Sequence, residues 1–190
     1  QARPVHEDAL KATTVSGTVF NYRRIPALAE IRARVVAGDL GRPVQISVAF
    51  QCDYAADPLL PHSWRYEFAK AGPGALLDVR THAVDMLRFL FGEVQGVVGA
   101  ASKISIAERR LPLGTTSGHG HVALSDKMAA VDNDDVMTAL LRFANGAQGT
   151  MTASRVAVGS GNRLTVEVMG TRGTARFTTD GTGGGGHRLD

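Results

Sequence analysis

Gly72-Pro73-Gly74-Ala75-Leu76-Leu77-Asp78-Val79-Arg80-Thr81-His82-Ala83-Val84-Asp85 starts as a turn and goes on as a helix. The Gly-Pro-Gly opening, the apolar spacing after it and the stop at Gly92 predict a helix reaching about Phe91. At about 100° per residue, Leu76, Val79, Ala83, Met86, Leu87 and Leu90 gather on one side. Asp78, His82 and Asp85 follow i, i+4, i+7 spacing and form a polar stripe on another. Core packing does not require that stripe. A carboxylate one turn before an imidazole orients the ring and raises its basicity, as a general acid/base near neutral pH needs. The plainer reading is a solvated helix face with an ordinary Asp–His pair.

Upstream of this helix, Val5 to Thr13 has a short helical pattern and Thr18 to Phe20 reads as a short strand. The polar cluster Asn21-Tyr22-Arg23-Arg24 follows, and Pro26 sits in the first turn of a helix running to about Ala37. Val44, Ile46, Val48 and Phe50 alternate with Gln45, Ser47 and Ala49, which predicts a strand with one buried face. Asp53 to Gly72 reads as a long irregular connection, of the length that is functional or disordered in a compact domain. It carries Trp64-Arg65, either a wall of a substrate site or a plug at the core edge.

Downstream, Val94 to Ile106 is strand-like, and Arg109 to Ala130, rich in Gly, Ser and Thr, reads as a second irregular segment. Asp135 to Phe143, Gly149 to Val156, Arg163 to Met169 and Thr174 to Thr178 are strand patterns separated by turn residues. Asn145-Gly146, between the first two, is a strong hairpin signal. The expected fold is α+β: an open, mostly antiparallel meander with helices packed on one face.

The chain's 190 residues are enough for a substantial core. Lys and Arg exceed Asp and Glu by 21 − 18 = 3, and no basic block interleaves with aromatics, so nucleic acid is not an expected partner. No apolar run is long enough to span a membrane as a helix. Cys52 is the single cysteine, so no internal disulfide forms and a cytoplasmic setting is expected.

A dinucleotide site should appear as strand, Gly-x-Gly-x-x-Gly turn and helix, and that unit is missing. The glycines at 181 and 183–186 follow a strand but lead into no helix, and read as a flexible linker. His119 and His121 could join Asp78 and His82 around a divalent metal in a hydrolase, although the spacing matches no common metal loop.

Several motifs, in order, resemble the glucose–fructose oxidoreductase / inositol dehydrogenase (Gfo/Idh/MocA) family. They are Phe20-Asn21-Tyr22-Arg23-Arg24-Ile25-Pro26-Ala27, Gly38-Asp39-Leu40-Gly41, Trp64-Arg65 and the Gly-x-Leu-x-Asp-x-x-x-His-x-x-Asp helix. Asn133-Asp134-Asp135, Arg142-Phe143-Ala144-Asn145-Gly146 and Gly170-Thr171-Arg172-Gly173-Thr174 complete the set, so the likeness runs from about Val19 to Phe177.

The resemblance implies the C-terminal domain of an NAD- or NADP-dependent oxidoreductase, with the Rossmann domain absent from this chain. It implies a sugar- or cyclitol-like substrate held between the two domains, and a homo-oligomer built through the open sheet face. His82 would take the proton of the reacting hydroxyl, and Asp78 would hold the ring. Tyr22, Arg23, Trp64, Arg65, Arg80 and Asp85 would line the substrate site. Arg80 stands where the family often has Gly, and would narrow the pocket, bind an anionic group or mark a divergent member. The family's catalytic lysine has no counterpart here, so this chain alone is expected to be inactive. Residues 1–18 are then a remnant of the linker helix, 19–180 the substrate-binding and oligomerisation domain, and 181–190 a flexible tail. The competing reading is a non-catalytic oligomerisation module of the same fold.

Overall fold

The computed structural model describes residues 2–115, 118, 120–179 and 187–189; for residues 2, 76, 78 and 187–189 it describes the backbone alone. Helix α1 spans Ala2–Lys11 and α2 spans Pro26–Ala37, with Pro26 in the first turn. Gly38 ends α2 in the left-handed region (φ 76°), where its amide bonds back to Arg34 and Val35, an arrangement glycine favours. Strand β1 (Pro43–Cys52) follows, and its even positions Ile46, Val48, Phe50 and Cys52 are buried as the alternation predicts.

The central helix forms in two pieces, α4 (Gly74–Asp78) and α5 (Arg80–Phe91), after a one-turn α3 (Phe68–Ala71). This corrects the single helix expected from the sequence. Val79, between the pieces, stays in the right-handed region (φ −97°, ψ −39°) and its amide still reaches the Ala75 carbonyl at 3.2 Å. The interruption is therefore one distorted residue. Val79, Ala83, Met86, Leu87 and Leu90 are all buried, as the apolar stripe requires.

After α5 come β2 (Val94–Lys103), β3 (Glu108–Pro112), β4 (Leu124–Ala130), β5 (Val136–Phe143), β6 (Gln148–Ser154), β7 (Asn162–Gly170), β8 (Thr174–Thr179) and β9 (His187–Leu189). The fold is α+β, with an open, mixed and mostly antiparallel sheet of six principal strands. Including the short edge strand β9, the order is β2-β5-β6-β1-β7-β8-β9.

The sheet is not the plain meander expected. Strand β1 lies between β6, to which it runs parallel, and β7, to which it runs antiparallel. The reason is burial: Ile46, Val48 and Phe50 line up with Gly149, Met151 and Ala153 on one side and with Val168, Val166 and Leu164 on the other. This gives a continuous apolar layer under the helices. Each fully buried side chain of this kind contributes roughly 1.5–3 kcal/mol.

Three further expectations are corrected. Thr18 to Phe20 forms no strand, because no described strand lies beside it to complete a ladder, and Val19 is exposed. The segment from Arg109 to Ala130 contains the hairpin β3–β4, hidden by its charged residues and Pro112. In the tail, residues 187–189 pair with the outer edge of β8 instead of trailing as linker, since that edge would otherwise present unpaired backbone groups. Residues 181–186 lie outside the described residues. The Asn145-Gly146 turn forms as predicted: Gly146 adopts φ 85°, and the Asn145 amide donates to the Phe91 carbonyl at 3.0 Å, tying the hairpin to the end of α5.

Candidate active site

His82 lies in the first turn of α5, where the helix crosses β1 and the 3₁₀ turn Asn21–Arg24. Its half-buried ring meets Phe20 (centroids 5.9 Å, 90°) and Tyr22 (5.2 Å, 69°) edge-on, and Phe50 at a tilt (5.7 Å, 57°). Aromatic pairs favour such geometry and fix the plane of the ring. Nδ1 is buried and has no hydrogen-bond partner among the described residues. A buried ring nitrogen without a partner is uncommon and calls for an explanation. The Asp78 side chain, expected to supply that partner, lies outside the described residues.

Two latches hold the aromatic wall. Arg23 Nε donates to both oxygens of Asp85 at 2.9 and 3.1 Å, and its guanidinium lies over the rings of Phe20 (5.8 Å) and Phe89 (5.4 Å). The Asp85 carboxylate is almost fully buried in this contact, and it raises the Arg23 pKa. Arg23 and Asp85 thus engage each other and fasten the turn carrying Tyr22 to α5. In the second latch, Asn162 Nδ2 donates to the Tyr22 hydroxyl at 3.5 Å, while Cys52 Sγ donates to Asn162 Oδ1 at 3.3 Å. Burial pushes the Tyr22 phenol above its ordinary range against the opposing effect of the Asn162 bond, so it stays protonated near neutral pH.

Beside this wall is a cavity of about 280 Å³ lined by Phe20, Leu77, Arg80, Thr81, Val84, Asp85 and Arg88. Arg80, two residues before His82 and so on the far side of the helix, reaches β5, with Nη1 3.4 Å from Met137 Sδ. Burial lowers its pKa, and the negative charge of Asp134 partly restores it. Trp64 and Arg65 form a different group. They occupy a 3₁₀ turn with Tyr66, the guanidinium 4.6 Å from the indole centre, and line a second cavity of about 230 Å³ with Ala71, Gly74, Leu77 and Arg155. Leu77 belongs to both cavities.

The sequence reading noted Asn133-Asp134-Asp135 as a motif but did not foresee its part in a buried network. Asp135 Oδ1 accepts from Arg155 Nε at 2.8 Å and Oδ2 from the amides of Ser105 (2.7 Å) and Ile106 (2.9 Å). Asn133 Nδ2 donates to the carbonyls of Arg65 (2.8 Å) and Gly72 (3.1 Å), and its Oδ1 accepts from Arg155 Nη2 at 2.8 Å. The Ala75 amide bonds the Asp134 carbonyl at 2.8 Å. The Tyr66 ring faces both Arg155 (4.7 Å) and Arg109 (4.4 Å), and Arg109 in turn donates to the carbonyls of Ala55, Asp57 and Leu60. These bonds fasten both the Trp64–Arg65 turn and the turn that starts the His82 helix to the end of the sheet.

The metal reading gains no support. His121 Nε2 is 2.6 Å from Asp57 Oδ2, whose acidity is raised first by the Leu59 amide and then by this imidazole. His119 lies outside the described residues, and among the described residues no three His, Cys, Asp or Glu side chains converge on a metal-sized site. No helix among them is long and apolar enough to cross a membrane.

A histidine-bearing helix thus packs on an open, mostly antiparallel sheet, and the described residues include no strand–glycine turn–helix unit for a dinucleotide. Residues 28–176 match the model of the GFO/IDH/MocA C-terminal domain. The chain belongs to the Gfo/Idh/MocA family, as its C-terminal domain. It is 40% identical over 172 residues to levoglucosan dehydrogenase of Pseudarthrobacter phenanthrenivorans, covering 90% of this chain and 44% of that protein. It is 29% identical to scyllo-inositol 2-dehydrogenase (NAD(+)) of Bacillus subtilis over 88% of this chain and 41% of that one. The solved structure of levoglucosan dehydrogenase with NADH and levoglucosan superposes with TM-score 0.78 at 32% identity, covering all of this chain and 50% of that one. This chain therefore spans about half the length, or less, of these relatives.

Proposed function

We propose that this chain is the catalytic and substrate-binding half of an NAD- or NADP-dependent dehydrogenase that interconverts a hydroxyl and a carbonyl on a sugar or cyclitol. The observation that carries the proposal is the His82 ring, held by three aromatic neighbours with its Nδ1 buried and unpartnered among the described residues. With Nδ1 buried, Nε2 would be the nitrogen that meets the substrate. It would accept the hydroxyl proton, while Asp78, one turn earlier, would accept a hydrogen bond from Nδ1–H and stabilise the imidazolium. Tyr22 positions the ring and presents a protonated hydroxyl nearby, and Arg23–Asp85 holds Tyr22 in place. Trp64 and Arg65 would contact the substrate, and Arg80 would shape the pocket from the β5 side.

A bound nicotinamide would supply the hydride acceptor. The residues of this chain include no strand–glycine turn–helix unit to hold it, so the dinucleotide would be bound mainly by a Rossmann domain outside these residues. Levoglucosan dehydrogenase has been solved with NADH and with the sugars levoglucosan and L-sorbose, which supports a neutral sugar as the substrate class here. The single Cys52, buried and bonded to Asn162, accords with a cytoplasmic setting.

The test is reduction of NAD⁺ or NADP⁺ by the full-length protein across a panel of anhydrosugars, pyranoses and inositols. Turnover on at least one of them is expected, and none on any would defeat the reading. The sheet face opposite the helices carries Ser47, Thr138, Leu140, Thr150 and Thr165, and it would pair protomers. Light scattering is expected to give at least a dimer, and a strict monomer would remove that part.

A further inference from the structure

The sheet face opposite the helices ends in a polar row that the His82 chemistry leaves unused. Gln45 on β1 stands beside Gln148 on β6, and Gln148 beside Arg142 on β5, so three long side chains lie abreast on this face. Arg142 is exposed and has no carboxylate partner among the described residues. Arg176, on the same face, is by contrast paired with Glu167 at 2.6 Å. Two open cavities meet at the row. One, of about 450 Å³, is bounded by Val98, Leu140, Arg142 and Thr150. The other, of about 560 Å³, is bounded by Arg42, Pro43 and Asn145, and Gln45, Gly146 and Gln148 belong to both.

The backbone around the row is shaped and fixed. Strand β2 slips register against β5 between Val94 and Gly96 and again between Val97 and Gly99, and the second bulge leaves Val98 unpaired on the cavity wall. The cross-strand neighbour of Arg142 is Gly96, where a Cβ would meet nothing within 4 Å, so the arginine is open on that flank. At the β5–β6 turn, Asn145 Nδ2 donates to the Phe91 carbonyl and Oδ1 accepts from the Ala147 amide, both at 3.0 Å, which pins the rim. Thr171 holds the backbone of Arg42 at its amide and its carbonyl, each at 3.0 Å. The exposed Arg42 guanidinium has no carboxylate partner among the described residues. Two guanidiniums, one in each cavity and with two carboxamides between them, suit a ligand carrying two anionic groups. Each offers paired N–H donors that match a carboxylate or a phosphate, and a neutral sugar would leave both charges unmatched. Val98 and Leu140, 65% and 51% exposed, would cover the body of such a ligand. Both volumes fall in the range of about 300–1,000 Å³ usual for small-molecule sites.

We propose that these two cavities form a second binding site, for a small organic dianion bearing carboxylate or phosphate groups, held by Arg142 and Arg42 with Gln45 and Gln148 between them. The site is separate from the His82 cleft. Gln45 is five residues before Phe50, about 16 Å along β1, and lies on the other face of the sheet. It therefore stands whether or not the dehydrogenase reading does. Leu140 and Thr150 are shared with the face that would pair protomers, which places the dianion at the strand-end margin of that contact.

The test is calorimetric titration of the full-length protein at low ionic strength, in a buffer free of phosphate and citrate. The probes are succinate, citrate and pyrophosphate, with acetate as the single-group control. Saturable binding of at least one of the three, about tenfold or more tighter than acetate, is expected, and it should weaken as salt rises. Binding of succinate or citrate alone identifies a carboxylate ligand, and binding of pyrophosphate alone a phosphate. Arg142→Gln and Arg42→Gln replace exposed side chains, so each should weaken binding about fivefold or more at an unchanged melting temperature. Val98→Glu, which sets a carboxylate inside the cavity, should abolish it. His82→Ala should leave this binding intact even where it abolishes turnover, which separates the two proposals. No saturable binding of any of the three probes, acetate binding as tightly as they do, or binding indifferent to either arginine variant overturns the site.

Discussion

Replacing His82 by alanine in the full-length protein is expected to lower kcat by about 10²–10⁴-fold, the range for loss of a positioned general base. KM should change far less, because the ring contributes proton transfer and little of the substrate-binding surface. The fold should survive. His82 is half-buried, and the Arg23–Asp85 and Tyr22–Asn162 contacts that hold its neighbours do not pass through it. A further comparison isolates the assigned role: His82→Gln keeps a polar group of similar reach but cannot cycle a proton near neutral pH, so it should be nearly as slow as alanine. Steady-state kinetics with thermal melts alongside check this. Unchanged kcat in His82→Ala removes the imidazole from the mechanism.

Asp135→Ala is expected to be the most destabilising simple substitution in the domain, by about 3–5 kcal/mol, as found when one partner of a buried ion pair is removed. The reason lies in what Asp135 leaves behind. Both side chains of the pair are essentially inaccessible, at 2% for Arg155 and 0% for Asp135. Without the carboxylate, Arg155 would keep a buried charge whose hydrogen-bond partners among the described residues are neutral amide and carbonyl oxygens. The amides of Ser105 and Ile106 would lose their acceptor. Removing both charges with Asp135→Leu and Arg155→Met should recover a large part of the loss, because the desolvation penalty goes with them. Urea denaturation of the single and double variants decides it. A loss under about 1 kcal/mol for Asp135→Ala would mean that the pair does not anchor the site as described.

The helices α1, α2 and the central one, and six of the strands, were legible from the sequence pattern, because burial on one face leaves a pattern that survives in the sequence. The one-turn α3, inside a stretch read as irregular, was not. The alternation in β1 and the apolar stripe on α5 are the plainest cases. A separate polar stripe, Asp78, His82 and Asp85, drew attention to His82. What could not be read was partner choice. Nothing in residues 43–52 says that this strand lies between β6 and β7, since a strand buried on one face looks the same at the centre as at the edge. The β3–β4 hairpin was missed because Arg109 and Arg110 occupy it, and Arg109 is buried only because carbonyls from a loop about fifty residues earlier close over it. Asp85 shows the same limit from the other side. Its spacing placed it on the polar stripe beside His82, while the partner it binds, Arg23, is 62 residues upstream. Spacing reports which face a side chain shares, and it is silent about what approaches that face from elsewhere in the chain.

The central place of β1 bears on how the domain is made. Ser47 on β1 bonds Thr150 on β6, 103 residues later, and the other neighbour, β7, is synthesised later still. A nascent chain emerging in order would carry an apolar strand with both edges open until most of the domain had been translated, so folding must be slow and late. During that interval Ile46, Val48 and Phe50 are the segment most exposed to pairing with another chain, and a chaperone that binds extended apolar peptides would find its earliest target there.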